Sequence, residues 1–211
     1  VERVLHLSAA DLVRERQVDD DDVHFPAALA RAVIEEHSAP GGTVLDPFAG
    51  GGTTLAVAAA LGRRAIGVEL LPERVAAIRR RVPAAVVHEA DARRLPALPA
   101  IDLCLTSPPY MTEVDHPHNP LTGYETLDGD YDTYLRELTE VFVVVARLLR
   151  PGGHLVINAA TIRAGDHVTT LAWDIARELR PHVAFRGETL LVWDEAPPWL
   201  RGDYLLTFQR A

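Results

Sequence analysis

Three short apolar runs in this chain each carry an acid at the C-terminal end. They are TVLDPF (Thr43–Phe48), RAIGVEL (Arg64–Leu70) and AAVVHEAD (Ala84–Asp91), with Asp46, Glu69 and Asp91 as the acids. Between them lie stretches with helical signals. TTLAVAAALG ends at Gly62, a C-terminal glycine cap, and PERVAAIRRRV begins with a proline where a missing N–H costs nothing. A fourth run, IDLCLTSPPY (Ile101–Tyr110), ends in two prolines. A long amphipathic helix follows, with Leu135, Leu138, Val141, Phe142, Val145 and Leu149 on one side and a stop at Pro151–Gly153. HLVINAA (His154–Ala160) reads as a fifth strand and VTTLAWDIARELRP as a helix with Trp173 in its core. GETLLVWDE and GDYLLTFQR read as two closing strands joined by a loop.

Alternation of this kind predicts a doubly wound α/β sandwich. Its sheet is seven-stranded, mixed and mostly parallel, with an antiparallel C-terminal hairpin at one edge. At 211 residues the chain is long enough for a single domain with a full core. That domain takes in residues 1–211, with a helical lead-in at 1–40 and a substrate loop at 111–130. Loops of such length in a compact domain are usually functional.

Composition narrows the function classes. Hydrophobic residues make up 48 % and the net charge is −9. A non-specific coat for nucleic acid would be basic, because neutralising phosphates supplies most of that affinity. Cys104 is the lone cysteine, inside an apolar run. It excludes an internal disulfide and predicts a buried thiol in a reducing compartment. No apolar run reaches the ~18 residues of a membrane span, and the first residues lack a charged-then-apolar signal layout. The expectation is a cytoplasmic protein without a membrane partner.

In an open α/β sheet, ligands bind beyond the carboxyl ends of the strands, where this chain places its acids and Ser107-Pro108-Pro109-Tyr110. DPFAGGGTT (Asp46–Thr54) has no lysine before its threonines, which disfavours a nucleoside triphosphate. A leading carboxylate would repel pyrophosphate but suits a cation, and glycines allow close approach of the backbone. S-adenosylmethionine, with its ammonium and sulfonium, fits both features. Glu69 stands where an acid accepts from ribose hydroxyls, and Asp91 where one can accept from an adenine amine. In TSPPY the prolines fix a rigid extended turn. A serine oxygen and a rigid carbonyl can both accept from one amino group, and Tyr110 can stack on a planar base. His116 and His118 lack a third ligand, so no metal site is expected. The basic groups Arg79–Arg81 and Arg93–Arg94 read as solvated faces or phosphate contacts.

DPFAGGGTT together with TSPPY resembles the DNA amino-methyltransferases, which methylate cytosine N4 or adenine N6. The resemblance implies a Rossmann-like methyltransferase domain using S-adenosylmethionine. It implies a cofactor-binding set of His24, Phe25, Pro26, Asp46, Pro47, Phe48, Gly50, Gly52, Thr53, Glu69, Leu70, Asp91, Ala92 and Thr106. Within it Asp46, Phe48, Gly50 and Gly52 enclose the methionine moiety, with His24-Phe25-Pro26 lining that end. Ser107, Pro108, Pro109 and Tyr110 form the catalytic set facing the target amine. The implied substrate is nucleic acid, DNA ahead of RNA, and SPPY leans toward cytosine N4. An RNA base, or an amine of a protein or small molecule, takes the same chemistry. No added target-recognition region is visible, which leaves room for a partner subunit to supply it.

Overall fold

Side chains along the central strands alternate between two apolar faces, and helices cover both. The computed structural model describes residues 4–11, 25–114, 119–122 and 129–211. His24, His116, His118 and much of the expected substrate loop lie outside the described residues.

The strands are β1 (Val4–Leu7), β2 (Thr43–Asp46), β3 (Arg64–Glu69), β4 (Val86–Glu89), β5 (Ile101–Thr106), β6 (Leu149–Ala164), β7 (His167–Thr169), β8 (Ala184–Trp193) and β9 (Leu200–Gln209). The helices are α1 (Ala27–His37), α2 (Thr53–Ala60), α3 (Pro72–Arg81), α4 (Tyr131–Leu148) and α5 (Leu171–Leu179). The strands join in one sheet in the order β1-β8-β9-β6-β5-β2-β3-β4, with β7 paired to β6. Neighbours from β6 to β4 run parallel, whereas β9 is antiparallel to both β6 and β8.

The alternation is visible residue by residue. Val44, Leu103, Leu105, Val156 and Leu205 face Leu29, Val33, Leu55, Val75 and Ile78 of α1, α2 and α3. Leu45, Cys104, Leu155, Ile157 and Leu206 face Leu138, Phe142, Val145, Ile175 and Leu179 of α4 and α5. Strands buried on both faces read as continuous apolar runs. The winding starts at β2, proceeds outward to β4, then returns to β5 on the other side of β2. This is the topological switch point where α/β sheets open a crevice for ligands.

Several expectations are refined. The seven strands are present, and the sheet gains two more. Val4–Leu7, within the expected helical lead-in, is a strand parallel to β8. The C-terminal hairpin is therefore not at the edge, because β1 covers the outer side of β8. The signal was weak, since VLHL is short and buries little along its length. Trp173 is 42 % exposed and stacks on Tyr204 at 5.2 Å between ring centroids; an aromatic on an amphipathic helix does not by itself give the face. Leu149 is buried but opens β6 rather than closing α4. Cys104 is fully buried, and burial pushes its thiol well above the usual range.

Gly67 sets how closely α2 approaches the sheet. A Cβ there would lie 2.5 Å from Leu55 Cδ1 and 3.1 Å from Ala49 Cβ. Leu55 is fully buried and cannot swing clear. Gly67→Val should cost about 1–3 kcal/mol by overpacking, read as a lower midpoint in urea unfolding at an unchanged slope.

Candidate active site

Asp46, the last residue of β2, is buried beneath the loop that follows it. Its Oδ1 accepts from the Phe48 N–H at 3.1 Å and from the Thr106 hydroxyl at 2.6 Å. Thr106 is the last residue of β5, the neighbouring strand across the switch point. One carboxylate oxygen thus ties the start of the glycine loop to the start of TSPPY. Burial raises the Asp46 pKa to about 6, against the lowering effect of its hydrogen bonds.

The loop turns by left-handed residues: Gly50 has φ of 49° and Gly52, immediately before α2, has φ of 80°. A Cβ at Gly52 would also press on Ile78 at 3.1 Å. Glu69, at the end of β3, clamps the loop from the other side. Its two oxygens accept from the Gly50 and Leu71 N–H groups, each at 2.9 Å. Burial raises its pKa too.

The TSPPY turn is held from below by α4. The fully buried Tyr134 donates from its hydroxyl to the Pro109 carbonyl at 2.8 Å. The Tyr110 hydroxyl points inward, 3.3 Å from Ser107 Oγ and 3.4 Å from Asn158 Oδ1. Burial raises the Tyr110 pKa well above the ordinary phenol range.

Between these pieces lies a cavity of about 330 Å³, within the range of small-molecule sites. Its wall brings together Phe25, Asp46, Pro47, Phe48, Gly50, Thr53, Glu69, Leu70, Ala92, Ser107, Pro108, Pro109 and Tyr110. Pro26, Gly52, Asp91 and Thr106 are not on it. Pro26 caps α1, accepting from Leu29 and Ala30 through its carbonyl. Gly52 and Thr106 act from behind the wall, as described. The Asp91 carboxylate is taken up by Arg93 through contacts of 2.7 to 3.1 Å. Burial alone would raise the Asp91 pKa, but Arg93 outweighs it and holds the group below the usual carboxylate range.

Several wall residues had no sequence signal: Ala49, Val68, Leu71, Arg74, Ala90, Pro120 and Leu121. Leucines and alanines at strand ends read as core until the fold shows which of them border a void. Thr54 is of another kind. It lies on the wall, its Oγ1 is buried, and although it faces Asp46 it makes no hydrogen bond of good geometry. The basic groups are partly internal, since Arg79 donates to the Val87 carbonyl, Arg81 to Gly51, and Arg93 also to Glu137.

Two buried carboxylates and an unpaired hydroxyl around one cavity suit a ligand that brings positive charge and a donor. S-adenosylmethionine meets that description, so the residues present fit it.

Comparisons with known proteins show a likeness in sequence over a short region and in fold over most of the chain. Residues 10–80 match a family described as DNA methylase. The type II methyltransferase M.SmaI of Serratia marcescens is 45 % identical over 58 residues, which is 28 % of this chain and 20 % of that protein. The DNA adenine methyltransferase YhdJ of Escherichia coli (strain K12) is 46 % identical over 66 residues, 31 % of this chain and 22 % of that one. Over that short region the chain is similar to DNA methyltransferases, and the matched segments span about a fifth of each relative's length.

The fold matches more widely. TrmN from Thermus thermophilus superposes with a TM-score of 0.64 at 21 % identity, covering 89 % of this chain and 49 % of that one. A TehB-like SAM-dependent methyltransferase from Corynebacterium glutamicum gives 0.60 at 14 %, covering 96 % of each. An rRNA methylase from Streptococcus thermophilus gives 0.59 at 13 %, covering 90 % and 98 %. The chain has the Rossmann-like methyltransferase fold.

Thr106→Val keeps the volume and removes the hydroxyl that donates to Asp46. Leaving a buried carboxylate short of a donor should cost about 1–3 kcal/mol of stability, measured by urea unfolding.

Proposed function

We propose that the protein is an S-adenosylmethionine-dependent methyltransferase acting on the exocyclic amino group of a nucleic-acid base, with cytosine N4 of DNA favoured over adenine N6. The observation that carries this reading is the Asp46–Thr106 bond at 2.6 Å. It makes the glycine loop and SPPY two walls of one cavity, so a ligand held by the first ends beside the second.

In this assignment Asp46, Thr54 and Phe25 hold the methionine end and Glu69 meets the ribose. Leu70, Leu71, Ala90 and Ala92 flank the adenine. An adenine amine that reaches the Asp91 carboxylate shares it with Arg93. When bound, S-adenosylmethionine supplies a methyl group already activated on a sulfonium, so the acceptor needs no metal.

The chain's own residues have the harder task of preparing a conjugated, weakly nucleophilic amine. Ser107 Oγ and the Pro108 carbonyl accept its two hydrogens, which favours a pyramidal nitrogen and aims its lone pair into the cavity. The Tyr110 ring offers a face for the base. Tyr134 keeps the turn rigid through the Pro109 carbonyl. Catalysis is then chiefly positioning and electrostatics.

A base inside a duplex must be flipped out to reach such a cavity, and a chain of net charge −9 gains little from phosphates. Both points fit a partner subunit that supplies target recognition and a duplex contact. The same charge favours a second reading, an RNA base or a protein or small-molecule amine. The name of YhdJ includes adenine, which keeps adenine N6 in view. A cytoplasmic setting goes with the reduced, buried Cys104.

Incubation with methyl-labelled cofactor and pooled DNA, RNA and protein, followed by mass spectrometry of nucleosides and peptides, tests this reading. N4-methylcytosine is expected, and label in protein alone refutes it. Pro108→Ala and Tyr110→Ala should each lower turnover about 10- to 100-fold with cofactor affinity nearly intact.

The cofactor side has its own signature. Free Asp46 is protonated below about pH 6 and ionised above it, so a cation beside it binds more tightly as pH rises from about 5 to 7.5. Asp46→Asn should flatten that dependence. At pH 7.5 it should weaken S-adenosylmethionine about 10- to 100-fold, the worth of a charged hydrogen bond. Calorimetric titration at both pH values checks it.

A further inference from the structure

Behind Ser107 and Tyr110 runs a chain of polar groups that neither motif contains. Asp203 of β9 accepts at Oδ2 from Trp193 Nε1 at 2.8 Å and at Oδ1 from Asn158 Nδ2 at 2.6 Å. The same Asn158 nitrogen donates to the Tyr204 carbonyl at 3.2 Å. Asn158 Oδ1 is 3.4 Å, and the Asn158 backbone carbonyl 3.5 Å, from the Tyr110 hydroxyl. Tyr110 in turn is 3.3 Å from Ser107 Oγ. Asn158 and Asp203 are both almost fully buried, and antiparallel pairing of β6 with β9 brings them together.

Each link has a direction. A carboxylate and a backbone carbonyl accept only, so both must meet the Asn158 nitrogen. The Asn158 oxygen is thereby turned to Tyr110. Tyr110 faces two oxygens that only accept, and its single hydrogen goes to them. It has none for Ser107, so the Ser107 hydroxyl donates to Tyr110. Ser107 is left with lone pairs toward the cavity. The contacts of the Tyr110 hydroxyl, at 3.3–3.5 Å, lie at the long end of the hydrogen-bond range.

We propose that Asp203, acting through Asn158 and Tyr110, is a positioning residue that sets Ser107 as a hydrogen-bond acceptor, selecting amines over carbonyl substrates. This rests on the amine reading above. Burial raises the Asp203 pKa to about 6 against the pull of Trp193 and Asn158, so the group is ionised at neutral pH. Groups that can only donate or only accept decide such networks, and here Trp193 and the Tyr204 carbonyl anchor the far end.

Asp203→Asn should break the order of the chain. Trp193 still needs an acceptor, so the introduced amide turns its oxygen there and its NH2 to Asn158. The Asn158 NH2 then meets another NH2: it either stays, donor against donor, or flips and gives up the Tyr204 carbonyl. In both cases the Tyr110 hydroxyl loses its fixed direction and Ser107 is no longer held as an acceptor.

The test is a double-mutant cycle at pH 7.5 with the base identified by methyl labelling. Asp203→Asn should lower kcat at least tenfold, with the dissociation constant for S-adenosylmethionine within twofold. In a Tyr110→Phe background, which lacks the relaying hydroxyl, the same change should alter kcat less than twofold. Equal losses in both backgrounds overturn the proposal. Asn158→Leu, which leaves Asp203 in place, should show the same dependence on the Tyr110 hydroxyl and serves if Asp203→Asn does not fold. A readout free of substrate is the Cζ resonance of Tyr110 in protein labelled with 13C-tyrosine. It should shift in Asp203→Asn and Asn158→Leu, and an unmoved resonance in both overturns the relay. If the wild type methylates no base, the functional reading fails while this resonance still decides the relay.

Discussion

A single oxygen, Asp46 Oδ1, holds the site together. It sits at the carboxyl end of β2, beside the switch point, and accepts from the next loop and from the end of β5. The winding of an α/β sheet brings those strand ends side by side, but pairing in the sheet leaves the loops beyond them free. The carboxylate converts that adjacency into a rigid arrangement. Glu69 repeats the device one strand further out, bridging the glycine loop and the turn into α3. Neither acid is only a ligand group in waiting, since each also accepts backbone N–H groups that the tight turns leave without partners.

This arrangement has an electrostatic consequence. Two carboxylates are buried beside the cavity, and burial raises the pKa of both because it disfavours their charged form. A cationic ligand relieves that charge, whereas a nucleotide phosphate would add to it. The preference for a sulfonium-bearing donor thus follows from desolvated acids more than from the glycines, which allow approach without choosing the ligand. On the proposed acceptor side, direction would set the preference. Rigid prolines, the Tyr134 hydroxyl and the Asn158–Asp203 pair all limit which way hydrogens can point.

Much of the fold was legible in the sequence because strands buried on both faces appear as unbroken apolar runs, and helix boundaries carry proline and glycine marks. Gly62 and Pro72 stand where those marks predict. The first strand was not legible: Val4–Leu7 is four residues long and earns its place only by pairing with β8, 186 residues away at its first position. Trp173 shows the same limit on a helix, where an aromatic can face the core or lean on a neighbour such as Tyr204. In the site, the acids and SPPY were visible because they break apolar runs at strand ends. Asn158 and Asp203 also break apolar runs, but in mid-strand, where a polar residue usually marks a solvated face. Asp91 was visible as well, yet its local bond to Arg93 could not be told from a ligand contact by position alone.

The sequence by itself determined the doubly wound class, the end of the sheet at which ligands bind and the chemical types gathered there. Those properties follow from local periodicity and from residues adjacent in the chain. Tertiary structure alone decided that Asp46 and Thr106, sixty residues apart, share a hydrogen bond, that Gly67 sets the depth of α2, and that two side chains, Asn158 and Tyr110, lie between Asp203 and Ser107. Those depend on strand order and register, which arise only when distant segments pack, and a hydrogen-bond network has a direction only once all its members are in place.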